Sequence, residues 1–228
     1  MIITLKDIWK TYPMGKLEVH ALKGVSLEIS EGDFVSVAGP SGSGKTTMMN
    51  LIGLVDSPNK GQIFVQGREA GGLSRRELTR LRHEVIGFIF QSFNLLPVLS
   101  VFENVELPLV IGKKKQGKAE RRQWVEHLLE QVGLADRMKH KPAELSGGQQ
   151  QRVAIARALA GRPRIVIADE PTANLDSETG EKILGLMKNI NSEDKTTFLF
   201  STHDQKIWEM AGHVIFLHDG VIQSEERR

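Results

Sequence analysis

The eight residues Gly39–Thr46, GPSGSGKT, constrain this 228-residue chain more than any other stretch. In order they are Gly39, Pro40, Ser41, Gly42, Ser43, Gly44, Lys45 and Thr46, followed by Thr47. They follow a short apolar run, Phe34–Ala38, and lead into TTMMNLIGL at 46–54, which reads as a helix. A strand that enters a glycine-rich turn and leaves as a helix commits the chain to an α/β layout. Glycines let backbone N–H groups converge on phosphate oxygens with no Cβ in the way. The helix that follows points its positive end at the same place. Lys45 adds a fixed positive charge suited to β- and γ-phosphates, and Thr46 offers a hydroxyl to Mg²⁺. The bland alternative is a glycine-rich turn beside an unrelated lysine. That alternative leaves the flanking strand and helix without a purpose.

The rest of the pattern agrees with an α/β chain. Residues 2–9 and 17–29 alternate apolar and polar, as half-exposed antiparallel strands do. Residues 61–66 suggest another strand. The runs 86–90, 165–168 and 197–201 are apolar without alternation, the signature of parallel strands covered on both faces. Between Gln91 and Arg164 helical periodicity dominates. Ser100 with Glu103, and Ser146 with Gln149, each make a capping box ahead of an apolar-rich helix. The run KKKQGK at 113–118 reads as a solvated surface turn. Asp219-Gly220 lies between 214–217 and 221–223 and signals a hairpin. The expected organisation is one domain over 1–228. Residues 1–91 and 162–228 make a mixed-sheet core with an antiparallel β subdomain, and 92–161 make an inserted helical subdomain.

Composition narrows the function. Thirty Lys and Arg against 28 Asp and Glu leave a net charge of +2, which argues against a dedicated nucleic-acid binder. Without cysteine there is no disulfide framework, thiolate metal site or cysteine nucleophile. No run of about 18 apolar residues occurs, so the chain is not expected to span a membrane. The start, MIITLKDIWK, lacks the features of a secretory signal. The expected place is the cytoplasm, and any membrane role needs a partner.

Further strand ends carry matching chemistry. RIVIADE, Arg164–Glu170, ends an apolar strand in two carboxylates. Asp169 is suited to hold Mg²⁺ through water. Glu170 is suited to take the proton of a water attacking the γ-phosphate. GFIF runs into Gln91, suited to Mg²⁺ or that water, and TFLFST runs into His203, suited to the γ-phosphate. Ligands of open parallel sheets sit at these carboxyl ends. A second anion-binding design is Leu145-Ser146-Gly147-Gly148-Gln149, a capped helix start with two glycines. One nucleotide has one γ-phosphate, which the first loop already holds. The second design therefore points to a dimer in which each copy completes the other's site.

The set GPSGSGKT, Gln91, LSGGQ, IVIADE and His203, in this order along nearly the whole chain, resembles the ATP-binding subunit of ABC transporters. The resemblance implies a P-loop NTPase, RecA-like core, ATP and Mg²⁺ as ligands, and a head-to-tail homodimer on ATP binding. It also implies that Tyr12 stacks on adenine, that Glu170 is the catalytic base, and that ANLD at 173–176 crosses the dimer interface. That last stretch departs from the commoner SALD wording at two positions. FQSFNLLPVLSVFENVELPL at 90–109 is similar to the lipoprotein-releasing, macrolide-exporting and cell-division subfamily. There the ATPase lies peripherally on the cytoplasmic face of the membrane. A helix of the membrane subunit is expected to dock near 91–108, where Leu95, Leu96, Val98 and Phe102 either receive it or pack internally. Two other functions compete. A soluble ABC ATPase of nucleic acid or ribosomes normally adds a second cassette or long coiled coils, which this chain lacks. A small-molecule P-loop kinase has no use for LSGGQ.

Overall fold

A computed structural model of the chain describes residues 1–15, 17–112, 117–202 and 205–228. In chain order the elements begin with β1 (Ile3–Met14), β2 (Leu17–Ile29), β3 (Phe34–Ala38), α1 (Lys45–Ile52), β4 (Lys60–Val65) and β5 (Arg68–Glu69). Then come α2 (Arg75–Val85), β6 (Ile86–Ile89), α3 (Val101–Ile111), α4 (Lys118–Gln131) and α5 (Gly147–Ala160). The chain ends with β7 (Ile165–Asp169), α6 (Ser177–Asp194), β8 (Thr197–Thr202), α7 (Gln205–Met210), β9 (His213–His218) and β10 (Val221–Arg227).

Two sheets result. The antiparallel sheet runs β2-β1-β4-β5, and the larger sheet runs β10-β9-β3-β8-β7-β6. In the larger sheet only β10 is antiparallel. Its central strands are buried along their whole length, which is why their sequences show no alternation. Successive side chains still face opposite ways. Phe34, Phe198 and Phe200 turn to a cluster shared with α3, α4, α5 and α6. Val35, Val37 and Leu199 turn to a second cluster shared with α1 and the antiparallel sheet. The helices between 101 and 160 thus have no separate core. They pack on the parallel sheet, and Trp124 ties α4 to α5 by donating from its indole to the Ala160 carbonyl at 2.9 Å.

Both expected capping boxes form, at Ser100 and Ser146. Asp219 and Gly220 both take positive φ at the β9–β10 hairpin, the conformation such a turn needs. Some expectations needed correction. The first strand runs on to Met14 rather than ending at residue 9, because β2 pairs with it as far as Leu17. The strand expected to include Phe90 stops at Ile89, where its pairing with β7 ends. Helix α2, with its own Ser74–Glu77 capping box, went unseen in the sequence. It buries only Leu81 and Val85 of its 11 residues, too few for a clear period. The lysine run of the 113–118 turn lies outside the described residues.

Candidate functional site

Strands β3, β8, β7 and β6 are parallel neighbours, so their carboxyl ends share one edge of the sheet. The 39–46 loop leaves β3, Asp169 ends β7, and Gln91 follows β6 by two residues. His203 lies outside the described residues.

The loop is shaped by left-handed glycines. Gly39, Gly42 and Gly44 have φ of 153°, 80° and 104°. A Cβ on Gly39 would run into the Leu217 carbonyl of β9, and one on Gly44 into the Ala21 carbonyl of β2. Gly42 faces open space, so there the backbone angle itself selects glycine. Lys45 is nearly buried, and its ammonium donates to the Gly39 and Pro40 carbonyls, each at 2.8 Å. Ser43 is held by its backbone, donating to Pro40 and accepting from Gly220 at 3.0 Å. Its buried hydroxyl has no partner among the described residues. No side chain caps α1 at Gly44. Uncapped first-turn N–H groups, a buried cation and an unsatisfied hydroxyl make a donor set that fits an anion. Thr46 is exposed and Thr47 half-buried beside it.

Asp169 and Glu170 are both half-buried. The buried Ser201 hydroxyl donates to the Asp169 carboxylate, fixing it from the neighbouring strand. Glu170 has φ of 45°, so the chain turns sharply as it leaves β7. That left-handed backbone is anchored on both sides. Glu170 N–H donates to Ser201 at 3.1 Å, and Ala173 N–H donates to Glu170 at 3.2 Å. A non-glycine in this region costs of order 1 kcal/mol, a strain that clusters at functional sites.

Gln91 is exposed, and its carbonyl accepts from the Asn174 side chain at 2.8 Å. The next residues turn through left-handed Phe93 and Asn94. Arg157 of α5 holds that turn, donating to the Phe93 carbonyl at 2.6 Å and the Asn94 carbonyl at 2.5 Å. Burial pushes the Arg157 guanidinium below its ordinary range. Asn104 is fully buried and staples the following loop. Its amide accepts from Leu96 N–H at 2.8 Å and donates to the Leu96, Leu99 and Ser100 carbonyls. Neither Arg157 nor Asn104 was singled out from sequence. Asn104 sits on the buried stripe of Val101 and Val105, a spacing that marks it as a core polar residue. Asn104→Leu is expected to cost about 2–4 kcal/mol in urea unfolding, since several loop groups lose their partner at once.

Of the four expected docking residues Leu95, Leu96, Val98 and Phe102, Leu96 and Val98 are exposed, Val98 by 77%. Leu95 and Phe102 pack against the core. In the second anion design, Ser146 accepts from Gln149 N–H at 3.3 Å, and Gln149 accepts in return from Ser146 N–H at 3.0 Å. Its glycines do different work. A Cβ on Gly148 would strike the Thr179 methyl, so that glycine lets the starts of α5 and α6 approach.

The ABC transporter family model matches residues 22–173. An ABC transporter ATP-binding protein of Methanocaldococcus jannaschii is 49% identical over 228 residues, 99% of this chain and 97% of the relative. The macrolide export ATP-binding/permease protein MacB of Bdellovibrio bacteriovorus is also 49% identical, over 99% of this chain but 34% of its own length. Among solved structures, a dimeric post-hydrolysis state of an ATP-binding cassette bound to ADP and Pi superposes with a TM-score of 0.91. It is 48% identical, covering 99% of this chain and 98% of that one. By fold, motif order and near-half identity along its whole length, this chain belongs to the ABC transporter family, as an ATP-binding cassette.

Proposed function

We propose that the chain binds ATP on residues 39–47, closes as a head-to-tail homodimer around it, and uses hydrolysis to drive a membrane permease. One observation carries this reading: the phosphate loop and the Asp169–Glu170 pair stand on strands that both flank β8, at one edge. Lys45 and the loop N–H groups hold the β- and γ-phosphates, and the ring of Tyr12 receives the adenine. Thr46, Gln91 and Asp169 form an oxygen donor set that suits Mg²⁺, which would offset phosphate charge. Glu170 takes a proton from water as its oxygen attacks the γ-phosphorus. The bond from that phosphorus to the bridging oxygen breaks, and ADP leaves with the electron pair. Gln91 orients the water and His203 hydrogen-bonds the γ-phosphate.

Residues 146–149 of each copy complete the site of the other. Support comes from similar cassettes described as dimeric and from relatives that join an ATP-binding part to a permease in one chain. Among the described residues no helix is long and apolar enough to cross a membrane. The membrane permease docks near 91–108 on the cytoplasmic face. Exposed Leu96 and Val98 supply its apolar anchor, on a loop held by Arg157 and Asn104. The same assignment divides the chain into a core of 1–91 and 162–228 and a helical part of 92–161. The near-neutral charge keeps nucleic acid out of the partner list.

Ser146→Arg tests the composite site. The variant should bind ATP as a monomer with unchanged affinity, form no ATP-dependent dimer in sedimentation, and hydrolyse about 100-fold more slowly. Normal hydrolysis would remove the second copy from the site.

A further inference from the structure

Tyr12 is the only tyrosine of the chain and is tied down on several sides. Its hydroxyl donates to the Asp56 carboxylate at 2.7 Å. Lys10, two residues back on the same face of β1, is nearly buried. The Lys10 ammonium pairs with the other Asp56 oxygen at 2.7 Å and donates to the Ser57 carbonyl at 2.7 Å. It also lies 4.8 Å from the centroid of the Tyr12 ring, over one face. Asp56 hangs from the far end of α1, through Val55 and Asp56 N–H bonds to the Asn50 carbonyl at 2.9 and 3.2 Å. Burial and the Asp56 carboxylate both push the Tyr12 hydroxyl above its ordinary range. Burial acts against the Asp56 charge, yet Lys10 and Tyr12 outweigh it and hold that carboxyl below its ordinary range.

We infer that Lys10 and Asp56 are positioning residues for nucleobase recognition, fixing the Tyr12 ring so that one face is filled by Lys10 and the other is offered to the base. This rests on the proposed stacking role of Tyr12. The physical reason is geometric. A tyrosine at the half-exposed end of β1 has rotamer freedom that a stacked base would have to remove. Here the ring is held in advance, and it is held to α1, the helix that begins at the phosphate loop. The distance between base site and phosphate site is then set by side chains that join β1 to the segment after α1 rather than by a free strand end.

The test compares ATP with inorganic tripolyphosphate, which has the phosphates and no base, in competition binding to the whole chain. Tyr12→Ala should weaken ATP by roughly 5- to 150-fold, the range of one stacked base, and leave tripolyphosphate unchanged. Asp56→Asn and Lys10→Met should each weaken ATP about three- to tenfold and leave tripolyphosphate unchanged. Both substitutions keep a side chain of similar size, and a purely structural role would lower both ligands together. With ring-labelled tyrosine a single set of signals reports Tyr12. ATP should shift it in the wild type, and should shift it less, with broadening, in Asp56→Asn. Wild-type discrimination in both Asp56→Asn and Lys10→Met, beside its loss in Tyr12→Ala, would overturn the inference and leave the stacking role intact. Unchanged discrimination in Tyr12→Ala would overturn the stacking role itself.

Discussion

Glu170→Gln is expected to bind ATP with near wild-type affinity, lose roughly 10²–10⁴-fold in turnover, and accumulate as an ATP-bound dimer. The amide has the shape of the carboxylate, so the turn after β7 should survive. Its backbone anchors to Ser201 and Ala173 do not involve the side chain. An amide still orients a water through its oxygen but cannot accept the water's proton. Binding is thereby separated from the proton step, and an assembly that opens only after hydrolysis remains closed. Single-turnover phosphate release gives the rate, and sedimentation with and without ATP gives the dimer. Undiminished release would assign the base elsewhere. Asp169→Asn serves as the contrast. That carboxylate is held by Ser201, and weakening it should raise the Mg²⁺ needed for ATP binding rather than trap a tight dimer.

What could be read in advance depended on how locally each feature is encoded. The glycine-rich turn at 39–46, the two carboxylates at the end of β7 and the two expected capping boxes are contiguous, so spacing alone located them. The buried strands were legible because burial on both faces erases alternation over only four to six residues. Features made by distant pairs were not legible. Arg157 meets Phe93 and Asn94 across 64 and 63 positions of chain. Lys10 meets Asp56 across 46. Neither pair has a local pattern, because the partners come together only when a helix packs on a loop or the antiparallel sheet on α1. Gly148 shows the same limit. As a letter in LSGGQ it suggests an anion, while its neighbour in space, Thr179, shows that it also permits helix packing. Leu95 and Leu96 are adjacent and meet opposite fates, one packed and one exposed, because the Asn104 staple turns the loop between core and surface.

Lys45→Ala should lower ATP affinity by at least about 100-fold while leaving a folded chain. Lys45 sits at the start of α1, where its ammonium already bridges the Gly39 and Pro40 carbonyls. Those carbonyls belong to the loop itself, so the lysine both shapes the loop and places a positive charge in it. A buried ammonium facing phosphate oxygens is weakly screened and its loss is felt strongly. Two charge-assisted contacts at about 1.5–3 kcal/mol each account for a hundredfold or more. Stability should change much less. Pro40 is exposed and Gly39 half-buried, so water can take up their freed carbonyls. Alanine is also the best helix former at the start of α1. Thermal unfolding without nucleotide should therefore fall by a few degrees at most, while the stabilisation that ATP adds in wild type disappears. Lys45→Arg separates charge from shape. The guanidinium keeps the charge but is wider and planar, and the nearly buried slot between two carbonyls fits a point-like ammonium. Affinity close to wild type in Lys45→Ala would show that backbone N–H groups alone hold the phosphates. Affinity restored by Lys45→Arg would show that charge, and not the bridge to Gly39 and Pro40, is what the site requires.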